Sequence, residues 1–133
     1  MDYLLDTNIC IYYFKGQFDI KERIRKVGCE KFAISEITLA ELVFGAEKSQ
    51  KKDKNIKVVE DFAEKITILP IFEAIRIYGK EKARLKIKGS IISDFDLFIG
   101  ATAIVNDMTL ITRNVREFER MDNLKIENWI DNQ

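Results

Sequence analysis

Short apolar runs alternate with helix-like stretches along the whole chain. The apolar runs cover about residues 2–6, 31–35, 66–69, 108–112 and 124–127. Helical patterns fill the intervals, at about residues 7–15, 19–27, 36–48, 54–65, 70–88, 94–106 and 115–120. Strands that alternate with helices form parallel sheets covered on both faces. We therefore predict an α/β fold with three layers, in which helices flank a mainly parallel sheet of four or five strands, and the length suits one domain over residues 1–133.

Helix ends and one ambiguous segment refine this layout. Residues 80–88 alternate charged and apolar side chains, a strand pattern that we interpret as the end of the helix at 70–88. Pro70, the single proline, suits the first turn of that helix. Glycine follows basic residues at three predicted helix ends, where we expect the left-handed cap conformation: Gly16, Gly28 and Gly89.

The chain contains no histidine, which narrows the chemistry that it can perform. Ser-His-Asp and Cys-His catalysis, histidine-based zinc sites and ribonucleases that use histidine for acid–base chemistry are all excluded. Lys+Arg and Asp+Glu both number 22, so the net charge gives no sign of a nucleic-acid partner, which local patches would have to hold. Hydrolysis would therefore depend on carboxylates, hydroxyls, amines or a bound metal.

Three acidic residues lie in segments that are otherwise apolar. Asp6 follows the first strand run, Glu41 interrupts TLAELVFGA, and Asp96 interrupts FDLFIGATA. A lone ionised carboxylate among apolar side chains is unfavourable unless something compensates its charge. Asp6 is also expected beyond the carboxyl end of a strand, where open parallel sheets bind ligands. One divalent metal ion could compensate all three acids, so the pattern predicts a metal-dependent site that cleaves phosphodiester bonds.

Two of these acids have plain structural alternatives. Asp6 or Thr7 could simply cap the helix that follows the first strand. Glu41 could be an ordinary surface side chain. However, the helix at 36–48 is apolar on most faces, so we expect it to be largely buried and this alternative is less favoured.

The third acid and a fourth polar position also fit helix caps. Asp96 suits the third position of a capping box that begins at Ser93, and Asp94 either serves the same site or complements the helix dipole. Asn114 opens a short helix, and Glu117 would complete a capping box there. Asn114 could nevertheless both cap and serve the site, because its carbonyl oxygen has two lone pairs.

Several segments together resemble the VapC-type toxins among the PIN-domain ribonucleases. They are LLDTNICI, SEITLAELVFGAEKSQ, DFDLFIGATA and LITRNVREFERM, followed by NLKIENW. The resemblance follows the same order over nearly the whole chain. It implies a compact α/β/α domain, RNA cleavage that depends on a divalent metal, dimerisation, and inhibition by a cognate antitoxin protein. It also favours structured loops of transfer or ribosomal RNA as the substrate.

The resemblance also assigns the site residues. The acids of the family fall on Asp6, Glu41 and Asp96, and its fourth position, often Asp, falls on Asn114. Asparagine brings no charge, which leaves open whether one or two metals bind, and Glu117 is a possible substitute acid. Oxygen ligands without His or Cys favour Mg²⁺, with Mn²⁺ as a substitute. The metal would activate a water for in-line attack at phosphorus and leave 5′-phosphate and 3′-hydroxyl ends.

Other polar residues could support the acids or hold RNA. Four hydroxyl or amide side chains could orient the acids, although capping and turn formation explain them equally well: Thr7, Asn8, Ser35 and Thr38. Three arginines near the predicted site could contact phosphates: Arg113, Arg116 and Arg120. The lysine-rich stretches at 48–57 and 80–88 are the alternative RNA contacts, or simply solvated surface.

Two other classes of function remain open from the sequence. A non-catalytic regulatory module could use the acidic cleft to bind a basic partner segment. A phosphoryl- or acyl-transfer enzyme of the haloacid-dehalogenase type also begins with a strand and Asp, but it expects a second acid where this chain has Asn8. The helices at 19–27 and 54–65 and the aromatic first helix could serve a homodimer or an antitoxin, although such surfaces more commonly form part of the core. With two isolated cysteines and no apolar run long enough to span a membrane, we expect a cytoplasmic protein without a membrane partner.

Overall fold

Five short strands form one parallel sheet in the computed structural model, which describes residues 1–131. They are β1 (Tyr3–Leu5), β2 (Phe32–Ser35), β3 (Thr67–Leu69), β4 (Thr109–Ile111) and β5 (Lys125–Glu127). Their order across the sheet is β3-β2-β1-β4-β5, and every neighbouring pair is parallel. The strand order reverses between β1 and β4, so the crevice beyond their carboxyl ends is the expected ligand site of such a sheet.

Seven α-helices connect and cover these strands within residues 1–131. They are α1 (Thr7–Lys15), α2 (Ile20–Val27), α3 (Glu36–Glu47), α4 (Lys52–Lys65), α5 (Ile75–Lys88), α6 (Asp94–Val105) and α7 (Val115–Phe118). Two 3₁₀ turns, Cys29–Lys31 and Phe72–Ala74, precede β2 and α5. The predicted strands and helices are all present, with ends that differ from the predicted ones by a few residues.

The core has one half on each face of the sheet. Leu5 of β1 packs in a cluster that includes buried residues of α1, α2 and α4. Leu4, the preceding residue, packs in a second cluster with residues of α5 and α6. Successive strand residues point to opposite faces, and here both faces are apolar, as is usual for a buried parallel sheet. The predicted three-layer α/β/α architecture is therefore confirmed.

Local predictions about helix ends were partly right. Residues 80–88 are helical within α5, and Gly16 and Gly89 adopt the left-handed conformation with φ of 66° and 72°. Gly28 does not, because its backbone has φ 111° and ψ 122°. The prediction for Pro70 was wrong: Pro70 lies between β3 and the 3₁₀ turn, outside any helix. Proline favours an extended residue before it, and the last residue of β3 meets that preference.

The prediction that the helix at 36–48 is largely buried was wrong. Thr38, Leu42 and Ala46 of α3 are buried, four residues apart along one stripe. Val43 and Phe44, in contrast, are 40% and 65% exposed. A helix that packs on one side buries only the stripe that faces its neighbours, so the other apolar side chains of α3 remain at the surface.

Two further expectations concern membranes and cysteines. No helix within residues 1–131 is long and apolar enough to cross a membrane. Cys10 is buried, Cys29 is exposed, and both are free thiols.

Candidate active site

Asp6 and Thr112 lie side by side at the carboxyl ends of the central strands. Asp6 directly follows β1 and Thr112 directly follows β4, and these two strands pair in parallel up to Leu5 and Ile111. Both side chains are buried, with Asp6 only 5% exposed. The hydroxyl of Thr112 donates a hydrogen bond of 2.7 Å to Oδ2 of Asp6. The sheet itself therefore fixes one carboxylate in the crevice where the strand order reverses.

The carboxylate of Asp6 both caps α1 and belongs to this site. Its Oδ1 accepts a hydrogen bond of 2.8 Å from the backbone N–H of Thr7. Burial raises the pKa of Asp6, the bonds from Thr112 and Thr7 lower it, and the charges of Glu41 and Glu117 raise it again. The alternative that Asp6 caps α1 is thus correct. It does not exclude a role for Asp6 in the site, because the second oxygen, Oδ2, accepts its bond from Thr112 and not from the helix.

Glu41 reaches the same region from α3. The hydroxyl of Thr7 donates a 2.6 Å hydrogen bond to Oε1 of Glu41 and lies 3.2 Å from the hydroxyl of Thr38. Glu41 is half-buried, and its charge acts on Asp6. The contacts of Thr7 and Thr38 agree with the prediction that these hydroxyls orient the acids.

Asp96 approaches from the first turn of α6. Its backbone N–H donates a 3.2 Å hydrogen bond to Oγ of Ser93, which confirms Ser93 as the cap. Burial raises the pKa of Asp96 to about 6, helped by the charges of Asp6 and Glu117 and by a hydrogen bond with Glu117. Asp96 therefore belongs to both the capping box and the acidic cluster.

Glu117 joins the cluster through α7, with Asn114 beside it. The amide of Asn114 donates a 3.1 Å hydrogen bond to Oε2 of Glu117. Asn114 stands at the start of α7 but makes no side-chain cap bond, so its predicted capping role was wrong. Its backbone N–H instead donates to Oγ1 of Thr112 at 3.0 Å, which draws the chain back toward Asp6.

Thr112 was not among the predicted site residues. The available signal was its position: TLIT ends in a hydroxyl at the carboxyl end of a strand, one residue before the Arg-Asn pair that attracted attention. The sequence does not reveal that β4 is the strand next to β1. Without that neighbour relation, Thr112 cannot be linked to Asp6.

Three predicted supporting residues make no side-chain hydrogen bond to the acids of the cluster within residues 1–131. Ser35 is buried and caps α3 through a 3.0 Å bond from the N–H of Ile37. Asp94 is exposed and bonds to Lys82, which is the main cause of its lowered pKa. Asn8 is exposed and makes no side-chain hydrogen bond within the described chain. No contact of these three side chains supports the predicted role beside the acids.

The three arginines differ in how far they are free to bind RNA. Arg113 is exposed, but its guanidinium already contacts Asp131 at 3.2 Å and the Tyr12 hydroxyl at 3.2 Å. Arg120 donates to the backbone carbonyl oxygen of Ile91 at 3.0 Å. Arg116 is exposed and has no hydrogen bond or ion pair with any residue from 1 to 131. Arg116 is therefore the arginine most available for a phosphate.

The donor set of the cluster fits a hard divalent cation. Four carboxylates contribute to it: Asp6, Glu41, Asp96 and Glu117. Carboxylate oxygens are the ligands that Mg²⁺, Mn²⁺ and Ca²⁺ prefer. Within residues 1–131, however, no three acidic, His or Cys side chains are already closed around one point as metal ligands. The charges of the acids therefore act on one another, but several side chains would have to rotate before they could contact one ion.

Comparison with known proteins agrees with this fold. The PIN domain family model matches residues 3–124. The chain is 40% identical over 132 residues to Ribonuclease VapC2 of Haemophilus influenzae, covering 98% of this chain and 99% of that protein. It is 37% identical over 131 residues to the tRNA(fMet)-specific endonuclease VapC of Shigella flexneri, covering 97% and 98%.

Two solved complexes have the same fold. The DNA-bound VapBC of Salmonella typhimurium superimposes with a TM-score of 0.90 at 36% identity, covering 97% of this chain and 98% of that chain. VapBC2 of Rickettsia felis, bound to a promoter DNA fragment, gives a TM-score of 0.88 at 36% identity, covering 97% and 99%.

Proposed function

This chain belongs to the PIN-domain family as a VapC-type ribonuclease, and we propose that it cuts structured RNA with the help of a divalent cation, Mg²⁺ or Mn²⁺ in its place, as the toxin of a toxin–antitoxin pair. The names of its relatives, a ribonuclease and a tRNA(fMet)-specific endonuclease, support the nuclease assignment. The choice of cation, the identity of the RNA and the roles of individual residues are our proposal.

The charge imbalance of the acidic cluster carries this proposal. Within residues 1–131, the donors to these carboxylates are neutral groups, namely a backbone N–H, threonine and serine hydroxyls and an asparagine amide, apart from the hydrogen bond between Asp96 and Glu117. No Lys or Arg among residues 1–131 forms an ion pair with Asp6, Glu41, Asp96 or Glu117. Burial raises the pKa of Asp6 and of Asp96, and the charges of the neighbouring acids raise both further. A cation from solution would relieve this repulsion, and RNA phosphates could not approach without one.

Asp6, Glu41 and Asp96 are the residues that we propose as cation ligands, with Glu117 as an additional acid. A divalent cation supplies Lewis-acid charge at the scissile phosphate and lowers the pKa of water. The protein contributes the arrangement. Thr112 and the backbone of Thr7 hold both oxygens of Asp6, and the Thr7 hydroxyl fixes Glu41. These bonds orient the two carboxylates, which reduces the rearrangement that cation binding requires.

Asn114 occupies the position where the family often has a fourth acid, but we propose that it acts by holding Glu117. Its amide holds Glu117 at 3.1 Å, so it directs a carboxylate toward the cluster although it carries no charge itself. We propose that Asn114 and Glu117 together replace the fourth acid that the family often has. In this proposal, Glu117 supplies the charge that Asn114 lacks.

We propose transfer RNA as the leading substrate and a structured ribosomal RNA loop as the alternative. Relatives from Shigella flexneri and Salmonella typhimurium are named tRNA(fMet)-specific endonucleases. Arg116 is the first choice for a phosphate contact because it is exposed and lies two residues from Asn114. Arg113 would contact phosphate only after giving up Asp131, because the same guanidinium fork holds that carboxylate.

We also propose two protein partners. The similar VapBC complexes support a cognate antitoxin. A cleft of about 480 Å³ between α1, α3 and α4, with Glu41 in its wall, offers an apolar surface next to the acids. A homodimer is supported by exposed apolar side chains near the starts of α5 and α6, which are Phe72, Ile75, Ile91 and Phe95.

Sequencing of RNA ends tests this proposal. The protein is expressed in a bacterial host without an antitoxin, and new 5′-phosphate ends are mapped across all transcripts. We expect cuts at one or a few loops, slowed growth, and neither effect with Asp6→Asn. Asp94→Asn is the matched control, because Asp94 is an exposed acid on α6 that pairs with Lys82 outside the cluster.

A non-catalytic regulatory module gives the opposite result. It would leave the RNA ends unchanged even at high expression, and the purified protein would bind a basic peptide but no RNA. That outcome would overturn the nuclease proposal for this chain.

A further inference from the structure

A second buried carboxylate, Glu81, lies outside the acidic cluster. It is 3% exposed on α5. Arg84 donates two hydrogen bonds of 2.8 Å to its two oxygens, and the backbone N–H of Asp122 donates a third of 2.7 Å. The pair thus ties α5 to the turn that follows α7.

Arg84 extends this connection toward the site. Its guanidinium also donates a 2.7 Å hydrogen bond to the carbonyl oxygen of Arg120 and lies 3.3 Å from a carboxylate oxygen of Asp122. Arg120 in turn donates from its side chain to the carbonyl oxygen of Ile91 at 3.0 Å. The contacts therefore run from α5, through the turn after α7, to the loop before α6.

Two residues on this path, Arg120 and Ile91, are close in sequence to acids of the cluster. Arg120 follows Glu117 by three residues, and Ile91 precedes Ser93, the cap of α6 and of the turn that carries Asp96. The helix α7 has only four residues, so it has little intrinsic stability of its own. Its position depends on what holds the turn that follows it.

An apolar contact ties the same two segments independently. Gly100 of α6 lies against Met121, in the turn after α7. A Cβ atom at Gly100 would collide with the sulfur of Met121 and meet its methyl group at 2.9 Å. The missing side chain at Gly100 therefore lets the turn pack closely on the helix that carries Asp96.

We propose that Arg120, held by the Glu81–Arg84 pair, is a positioning residue that keeps Glu117 of α7 beside Asp96 of α6. Two carboxylates repel each other, so an external restraint is needed to keep them adjacent before a cation binds. This inference rests on the proposed function of the acids as cation ligands. It also replaces the prediction that Arg120 contacts RNA.

Three variants and two readouts test the proposal. Arg120→Met keeps an apolar stem but removes the donor to Ile91, and Arg120→Lys retains one donor. Arg25→Met is the control for the same substitution elsewhere, because Arg25 is an arginine on α2 whose exposed pair with Glu22 includes no residue of the acidic cluster or of the Glu81–Arg84–Arg120 contacts. Mn²⁺ affinity is measured by calorimetry without RNA, and kcat and KM are measured on an RNA substrate. Circular dichroism verifies that each variant is folded.

We expect Arg120→Met to weaken Mn²⁺ binding and to lower kcat, each by roughly 10-fold or more, with KM little changed. Arg120→Lys should recover most of both quantities, and Arg25→Met should equal the wild type. Unchanged Mn²⁺ affinity and kcat in folded Arg120→Met would overturn the proposal. A raised KM with normal kcat and Mn²⁺ affinity would also overturn it and return Arg120 to the RNA surface.

The two readouts separate this inference from the proposed function. A wild-type protein that binds Mn²⁺ but cuts no RNA would contradict the nuclease proposal, while the Mn²⁺ affinities of the variants would still decide the role of Arg120. A wild-type protein that binds no Mn²⁺ would overturn both.

Discussion

Asp6 and Glu81 are both buried carboxylates, yet their surroundings are opposite. Asp6 is 5% exposed and Glu81 is 3% exposed. Glu81 has a cationic partner, Arg84, and that hydrogen-bonded pairing is the main cause of its lowered pKa. Asp6 has only neutral donors and further acids around it, and burial raises its pKa. The charge of Glu81 is compensated by a cation within the described chain, and the charge of Asp6 is not.

The difference separates a structural acid from an acid that awaits a ligand. A buried charge that is paired and hydrogen-bonded connects the elements of a fold and is costly to break. A buried charge left among like charges reduces stability and is retained in proteins mainly at functional sites. The same comparison supports our proposal that the cluster around Asp6 binds a cation and that the network around Glu81 holds it in place.

The largest expected effect separates Asp96 from its neighbour Asp94. Asp96→Asn should lower the rate of RNA cleavage by about 100-fold or more at saturating Mg²⁺, because the amide keeps the shape but loses the charge that a cation needs. Asp94→Asn, on the same turn of α6, should cleave like the wild type. The measurement is single-turnover cleavage of a labelled RNA. Equal loss in both variants would mean that only the start of α6 was disturbed, and full activity in Asp96→Asn would return Asp96 to capping alone.

The next effect is on the free energy of unfolding, which should respond differently to substitution of Glu81 and of Asp96. Glu81→Gln should lower the free energy of unfolding by about 1–3 kcal/mol, because it removes a buried charge from hydrogen bonds made to suit it. Asp96→Asn should leave that free energy unchanged or raise it, because it relieves repulsion from Asp6 and Glu117. Urea denaturation of the metal-free proteins at pH 7 measures both. Equal destabilisation by the two substitutions would remove the distinction between the two regions.

The two regions should also respond to pH in opposite directions. The pKa of Asp96 is raised from 3.8 to about 6, so between these values the folded state holds a proton that the unfolded chain releases. The free energy of unfolding of the metal-free protein should therefore fall as pH rises through that window, by about 1–2 kcal/mol after allowance for partial solvation. Asp96→Asn should lack this fall.

Glu81 supplies the opposite trend at lower pH. Because its pKa is lowered, its stabilisation is present above the ordinary value near 4.5 and is lost as pH falls through the lowered value. Denaturation midpoints measured from pH 3 to 7 for the wild type, Asp96→Asn and Glu81→Gln distinguish the two trends. A wild-type curve that rises steadily from pH 4 to 6 would contradict the account of Asp96.

Local sequence patterns predicted most of the fold and the acids of the cluster around Asp6, but they did not predict the role of Glu81. Asp6, Glu41 and Asp96 were identifiable because Asp6 ends an apolar run and the other two interrupt one, and the alternation of strands and helices predicted the sheet. Glu81 was not identifiable, because it lies in KEKARLKIK and resembles one charge among many on a solvated face. Only the packing of α5 against the turn after α7 reveals that it is buried.

The remaining errors have the same origin. The exposure of Phe44, the link from Thr112 to Asp6 and the fixed position of Arg120 all depend on which elements are neighbours in space. A pattern along the chain indicates which face of a helix is apolar, but it does not indicate whether anything covers that face. Strand order is likewise set by contacts between distant segments.

The smallest expected effect concerns the arginines at the edge of the site. Arg116→Ala should flatten the slope of log RNA affinity against log salt by about 0.7, the value for one phosphate contact with a single strand. Arg113→Ala should change the slope by less, because Asp131 already neutralises that guanidinium. RNA binding in Ca²⁺ across a salt series measures this. Slopes unchanged in both variants would move the RNA path to the lysine-rich stretches at 48–57 or 80–88.

The most direct test of the central claim is calorimetric titration of Mn²⁺ into the metal-free protein without RNA. In our account, the cluster around Asp6 takes up a cation from solution. The wild type and Asp94→Asn should therefore bind Mn²⁺ with equal affinity, and Asp6→Asn should bind Mn²⁺ at least about 10-fold more weakly. Equal binding by all three proteins, or no binding by the wild type, would contradict the account.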